Sequence, residues 1–556
     1  MRRALQWVCA VIFVVACRQP ERAGKIGPAP TPRPTALPAP VLGYIDESGT
    51  GTPVDGGVLR RRLIGDPSTL NAILQTGVPE QQVLQYVSRN LLDFDSRLRL
   101  VPGLAEKWEV SADGRAFTFS LRREAAWQDG TPVTAADAVF TLKKIVEKET
   151  PAPVIKPLFT ELVSAEALGE KTFRATFRMA DANQAMAFVL PLLPEKRFAR
   201  KRFVKAADNR APFANGPYRF VSWKPQESIE LARNDRYWGP RGHFDRIVFK
   251  ILPDNSTAWR ALVEDGLDET WIDQALKERS AADPLFAVCC RIVEYYDLDY
   301  NYIALNNRSP LFSDARVRRA LTMLLDRASI VRGLYHGSAR IISGPWAPDS
   351  PAYDASVAPL PYEPAAAAKL LDEAGWRDTN GDGIRDRNGR DLAFDLLVSS
   401  GSLIGQQIDE VLAASARNAG IQIRVRPLEW AAYVERLDRG EFEAVSGAWS
   451  ASADPNPDPF PLWHSSQVPP EGANSSFYSS PEADRWMEQA RAETDEKRRV
   501  ALYHRLHAFF RDEAPAIWVV NASKKYALRR RVHGIVTSPL GLFGIWPGPL
   551  SWWTAP

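Results

Sequence analysis

The stretch DTNGDGIRDRNG sets Asp378, Asn380 and Asp382 at alternate positions, with Gly383 next and Asp386 at the ninth, the spacing of oxygen ligands in a calcium loop. Such a loop closes its shell with a bidentate Glu at the twelfth position, and Gly389 stands there instead. Losing that carboxylate removes two of the ion's oxygens, so the stretch reads as a glycine-rich turn feeding the strand-like run LAFDLLV, and no metal is expected. His504 and His507 in YHRLH, three apart on a helix, could face one ion. With no third ligand nearby, packing at the surface is the expectation. Nucleophilic chemistry is equally thin. The chain holds no Gly-x-Ser-x-Gly elbow and no Gly-x-x-x-x-Gly-Lys phosphate loop, and GSLIG at Gly401–Gly405 fits neither. The expectation is a protein that is not an enzyme and holds no cofactor.

Ligand contact is better provided for. SGAWSASADPNPDPFPLWHSS offers an aromatic platform in Trp449, hydroxyls in Ser450 and Ser452, and a carboxylate in Asp454. A pocket that holds a small solute is mostly apolar with a few placed polar groups. A strand is expected to end near Val445, with Gly447 making a tight turn before the tryptophan. Asp454 either pairs with a cationic group of the solute or, like Asp458, starts a turn before proline.

Further chemistry sits at Cys17. Arg2 and Arg3 precede an apolar run from Ala4 to Ala16, broken only by Gln6, which is the layout of a secretory signal and too short to span a bilayer. Val14-Val15-Ala16-Cys17 resembles the bacterial lipoprotein box, which implies cleavage after residue 16 and acylation of Cys17. From Cys17 to residue 56 the chain is dense in proline and reads as an extended spacer.

The elements that must position these residues alternate between strand and helix, as in an α/β protein. Val58–Ile64 and AFTFSLR are strands, the latter placing Phe117, Phe119 and Leu121 on one side. TAADAVFTLKKIV is a helix with Thr134 as N-cap and Asp137 three residues on. YRFVSW and RIVFKIL are strands, and PAAAAKLLDEAGW is a helix that Gly375 ends. At 556 residues the chain exceeds one core, so two or three domains are expected. Net charge is +3 in the precursor and +1 once Arg2 and Arg3 leave, which argues against nucleic acid as a partner. Cys289 and Cys290 are the only cysteines left after Cys9 and Cys17 are accounted for, and two reduced thiols are expected.

The block LVPGLAEKWEVSADGRAFTFSLRREAAWQDGTPVTAADAVF resembles the extracytoplasmic solute-binding proteins, family 5, of bacterial ABC importers for dipeptides, oligopeptides and nickel. Ala105, Asp113, Phe117, Leu121, Arg122 and Glu124 carry the likeness, and Trp127 stands where the family usually has Phe. Further blocks follow in the family's order from about residue 57 to the C-terminus. The resemblance implies an α/β fold: a two-lobed, periplasmic-binding-protein-like clamp (type II) with an additional inserted α/β domain. It implies a first lobe from 57–92, 214–301 and 526–556, an inserted domain at 93–213 and a second lobe at 302–525. It further implies that Gly77 and Val78 offer backbone groups from one edge of the cleft and that the block after Trp449 lines the other. Ser452 occupies the position of the carboxylate that pairs with a peptide's ammonium end, and Asp454 is the nearest acid. The implied function is capture of a small, peptide-like solute by a monomer that docks on membrane permease and ATPase subunits, anchored outside the cytoplasm. A sensor lipoprotein without transport, or a hydrolase on a related scaffold, are the alternatives.

Acylation of Cys17 predicts that a fatty-acid analogue labels the wild-type protein and that Cys17→Ser abolishes the label; equal labelling of both would exclude it.

Overall fold

Hydrophobic alternation and capping chemistry explain the elements of the computed structural model, which describes residues 45–47, 49–199, 202–450, 456–469 and 472–555. The leader, Cys17 and the spacer up to residue 44, together with Ser452 and Asp454, lie outside the described residues. Strand Ala116–Leu121 buries Phe117, Phe119 and Leu121 as its alternation requires. Helix Ala135–Val146 begins in a capping box, Thr134 taking the N3 backbone N–H while Asp137 takes the N-cap N–H. Helix Pro364–Glu373 ends before Gly375, whose φ of +83° is a conformation that suits glycine.

Three sheets organise the chain. An eight-stranded sheet runs in the order Cys290–Tyr296, Val520–Arg529, Glu269–Trp271, Val58–Leu63, Arg246–Ile251, Ser228–Arg233, Tyr218–Lys224, with Ala339–Ile341 added on Val520–Arg529. Its middle strand, Val58–Leu63, is parallel to Arg246–Ile251, with Val58 opposite Arg246 and Leu63 opposite Ile251. A five-stranded sheet runs Gln422–Leu428, Ala393–Ser399, Ala444–Trp449, Tyr300–Leu305, Ala516–Trp518. A four-stranded antiparallel sheet, Ala105–Val110, Ala116–Leu121, Thr172–Phe177, Leu162–Ala167, lies under helix Ala135–Val146. The result is the α/β, two-lobed clamp with an added α/β unit that the sequence implies.

Two passages between the larger sheets run directly from strand to strand. Strand Cys290–Tyr296 of the first continues through Asp297–Asp299 into Tyr300–Leu305 of the second. Ala516–Trp518 of the second returns as Val520–Arg529 of the first. Buried Asn521 ties the passages together, its amide donating to the carbonyls of Asp297 at 2.8 Å and Asp299 at 2.7 Å. Beside it, Lys524 Nζ meets the Asp299 carboxylate at 2.9 Å and that of Asp297 at 3.4 Å.

Two expectations are corrected. The structure joins Cys289 and Cys290 in a disulfide between neighbours. Cys289 ends helix Pro284–Cys289 and Cys290 opens the next strand, and at that junction consecutive side chains do not alternate as they would inside a strand. The strand expected to stop near Val445 runs on to Trp449, with Gly447 paired to Tyr302 inside the ladder rather than making a turn. The calcium-like stretch uses its polar side chains on its own backbone. Asp378 accepts from the N–H of Gly381 at 2.6 Å and of Gly383 at 3.0 Å, and Asp386 accepts from Thr379 N–H at 2.8 Å.

The four-stranded sheet is built around Phe119, which is fully buried with its ring 5.0 Å from Phe173 and 4.5 Å from Phe188. Phe119→Ala is expected to cost about 3–5 kcal/mol in denaturant unfolding. Val163→Ala on the same sheet, at a position 62% exposed, should cost no more than about 0.5 kcal/mol.

Candidate functional site

Register sets the first element of the site. In the five-stranded sheet Trp449 lies opposite Tyr300, the first residue after the chain has crossed between sheets. The last residue of one strand and the first of another therefore present two aromatic rings at the mouth between the lobes. Trp346 joins them, held by its indole N–H donating to the carbonyl of Pro457 at 2.9 Å. Trp463 and Leu298 complete an apolar wall around a cavity of about 30 Å³. That is room for about one water.

Polar support comes from the 456–460 segment. Asp458 accepts from Phe460 N–H at 3.1 Å just ahead of helix Phe460–Trp463, the turn-starting role expected of it. Its carboxylate also meets Arg491 Nε at 2.9 Å, and Arg491 Nη2 lies 3.2 Å from Asp181 of the added α/β unit. The Asn183 amide donates to Tyr503 Oη at 3.0 Å. The added unit thus rests on the second lobe beside the aromatic wall.

Among the expected residues, the structure places Trp449 in the wall and half-buried Ser450 directly after it. Gly77 and Val78 form the start of helix Val78–Val87, with Val78 exposed, and neither lines the cavity with Trp449. Glu80 in the first turn of that helix accepts from Ser68 N–H at 2.6 Å and from Ser68 Oγ at 2.8 Å, tying the helix start to the preceding loop. Tyr300, Trp346 and Trp463 were missed in the sequence. The last stands in the quoted block and ends a short helix, Trp346 follows a proline, and Tyr300 opens a strand.

His507 corrects another expectation. It is fully buried rather than at the surface, because helix Glu496–Glu513 turns Tyr503, Leu506, His507 and Phe510 inward. Its Nδ1 accepts from Asp354 N–H at 2.9 Å, so Nε2 carries the proton and donates to Ser343 Oγ at 3.0 Å. A general base would need that Nε2 lone pair free, and the pair is therefore not an activated serine. The ring packs 5.8 Å from Trp346 and 4.5 Å from Tyr353, supporting the wall from behind.

Known proteins share this architecture and sequence. The sequence profile of the bacterial extracellular solute-binding proteins, family 5, matches residues 99–470. The chain belongs to this family. It is similar to the oligopeptide-binding protein AppA of Bacillus subtilis, with 28% identity over 520 residues that span 92% of this chain and 94% of the relative. It is also similar to the dipeptide-binding protein of Escherichia coli, 25% identical over 473 residues covering 80% and 84% of the two chains. The solved structure of AppA from Bacillus subtilis in complex with a nonapeptide matches with a TM-score of 0.74 and 27% identity, covering 91% of this chain and 100% of that one. These relatives are solute-binding proteins rather than enzymes. As a family 5 protein the chain works outside the cytoplasm, and among the described residues no helix is long and apolar enough to cross a membrane.

In this family 5 protein, burial holds His507 down at about 4 against an ordinary 6.5. An unfolded histidine takes up a proton below about pH 6.5, whereas the folded one stays neutral to about pH 4. The stability gained is complete above pH 6.5 and lost as pH falls toward 4, about 3 kcal/mol in all. His507→Gln should flatten the fall in melting temperature between pH 6.5 and 4.5, and equal slopes in both proteins would assign that proton elsewhere.

Proposed function

We propose that this family 5 protein is the receptor of an ABC importer, that its solute is a peptide or peptide-like compound, and that acylated Cys17 holds it at the membrane. In this reading 57–92, 214–301 and 526–556 form the first lobe, 93–213 the inserted domain and 302–525 the second lobe. Closure about the two crossing passages brings Gly77 and Val78 toward Trp449, Ser450, Ser452 and Asp454. The pairing of Tyr300 with Trp449 carries the proposal, because it sets an aromatic wall where the chain leaves one sheet for the other. Likeness to an oligopeptide-binding and a dipeptide-binding protein over most of the chain supports a peptide-like solute. The chain's task is capture and delivery to permease and ATPase subunits, with no bond made or broken.

Native mass spectrometry of the gently purified protein identifies the retained solute, and calorimetry with it tests the site. Trp449→Ala is expected to weaken binding by tenfold or more, the loss typical of a buried aromatic anchor. Asp454→Asn should cost about 2–5 kcal/mol if the carboxylate pairs with a cationic group of the solute, and little if it only starts a turn. Full affinity in Trp449→Ala with an intact fold would place the cleft elsewhere.

A further inference from the structure

A second cavity, of about 280 Å³, opens where five segments meet: Arg89 after helix Val78–Val87, Pro102–Gly103, Arg122 after strand Ala116–Leu121, the Tyr237–Pro240 loop, and Trp546. It shares no lining residue with the cavity beside Trp449. We propose that it is a binding site for a small carboxylate or phosphate anion.

Unmatched hydrogen-bond donors collect here beside one unmatched buried acceptor, Asp93 Oδ2. Arg89 is 4% exposed; its Nη2 donates to the carbonyl of Pro102 at 3.2 Å and its Nη1 lies 2.6 Å from the Asp93 carboxylate. Its Nε is buried with no acceptor among the described residues. The same holds for Tyr237 Oη, on a side chain 6% exposed, and for Trp238 Nε1. Arg122 donates through Nε to the carbonyl of Gly103 at 2.9 Å, while its Nη1 stands 3.7 Å from Glu124, too far for a hydrogen bond. Buried donors are nearly always satisfied in folded proteins, because one left bare forfeits its hydration without a replacement bond. Three around one cavity call for an occupant rich in acceptors.

The geometry selects the class. Guanidinium groups bind planar carboxylates and phosphates through paired N–H donors, more strongly than they bind neutral acceptors. Asp93 offsets Arg89, and Glu124, half-exposed at the rim, offsets Arg122, so the lining carries no surplus positive charge and recognition of an anion here rests on directed N–H and O–H donors. The Arg89 guanidinium sits 3.2 Å from the centroid of the Trp546 ring, and Tyr237 and Trp238 pack with centroids 5.1 Å apart. Those rings give a planar anion apolar surface on which to rest. The volume lies just under the range for drug-sized ligands and fits a molecule the size of benzoate or inorganic phosphate.

The test uses the full chain and two probes, inorganic phosphate and benzoate, each titrated at constant ionic strength against chloride. Calorimetry and melting temperature should show saturable binding of at least one; phosphate alone assigns a phosphate site, and benzoate alone a carboxylate site. Tyr237→Phe keeps the ring and removes only the hydroxyl, and should weaken binding about tenfold. Arg122→Met should weaken it further, and Trp449→Ala should leave it unchanged, which separates this site from the solute cleft. Absence of binding by both anions at millimolar concentration overturns the proposal. So does affinity that survives in Tyr237→Phe, a variant that remains informative where Arg122→Met fails to fold.

Discussion

Two neighbouring stretches of backbone pass between the large sheets, and the hydrogen bonds that hold them side by side determine where the lobes can meet. Val519 N–H donates to the carbonyl of Asn301 at 3.0 Å, and the Asn521 amide spans the carbonyls of Asp297 and Asp299. Two passages so linked bend together and resist independent twisting. Motion of one lobe over the other is thereby narrowed to a hinge, the form of domain closure in which a few terminal residues of strands take up the change. Tyr300 and Trp449 stand at that bend, so the wall proposed to meet the solute is also the surface nearest the axis of such a hinge.

A second set of contacts gathers around the same place. Leu298 of the crossing, Phe94 beside the added unit, Ala347 of the second lobe and Leu540 and Ile545 near the C-terminus form one buried cluster. Arg491 adds a polar counterpart, meeting Asp458 behind the wall and Asp181 of the added unit, with its guanidinium 4.2 Å from the Phe460 ring. The added unit is held beside the wall by a few apolar side chains, the shared Arg491 and the Asn183–Tyr503 hydrogen bond.

Much of this was legible in the sequence for definite reasons. The alternation in AFTFSLR and the Thr134–Asp137 pair are local signals, and local chemistry decided both elements. Trp449 was found because small polar residues and Asp-Pro repeats surround it. Gly447 misled because glycine usually breaks a strand; here the side chains of Tyr433 and Tyr302 lie 3.4 Å and 3.8 Å from where its Cβ would stand, so they close over the bare backbone. His507 and the neighbouring cysteines were misread for a different reason. Spacing fixes which residues share a face, and only the packing partners decide whether that face is buried. Arg89, Tyr237, Trp238 and Trp546 come from segments hundreds of residues apart, beyond the reach of any short motif.

Strand Val520–Arg529 lies between Cys290–Tyr296 and Glu269–Trp271, one strand in from the edge of the eight-stranded sheet and joining that edge strand to the rest. Near the other terminus, Glu47 N–H donates to the carbonyl of Ile535 at 2.8 Å and Ile45 N–H to Thr537 Oγ1 at 2.8 Å. The first lobe therefore has a gap in its sheet until almost the whole chain is present. Pairings this remote in sequence close slowly, because the loop entropy must be met before the contacts form. A growing chain has long exposed strand edges and no stable first lobe, and its synthesis ends before its folding can. That order suits a protein threaded across a membrane unfolded and left to fold on the far side.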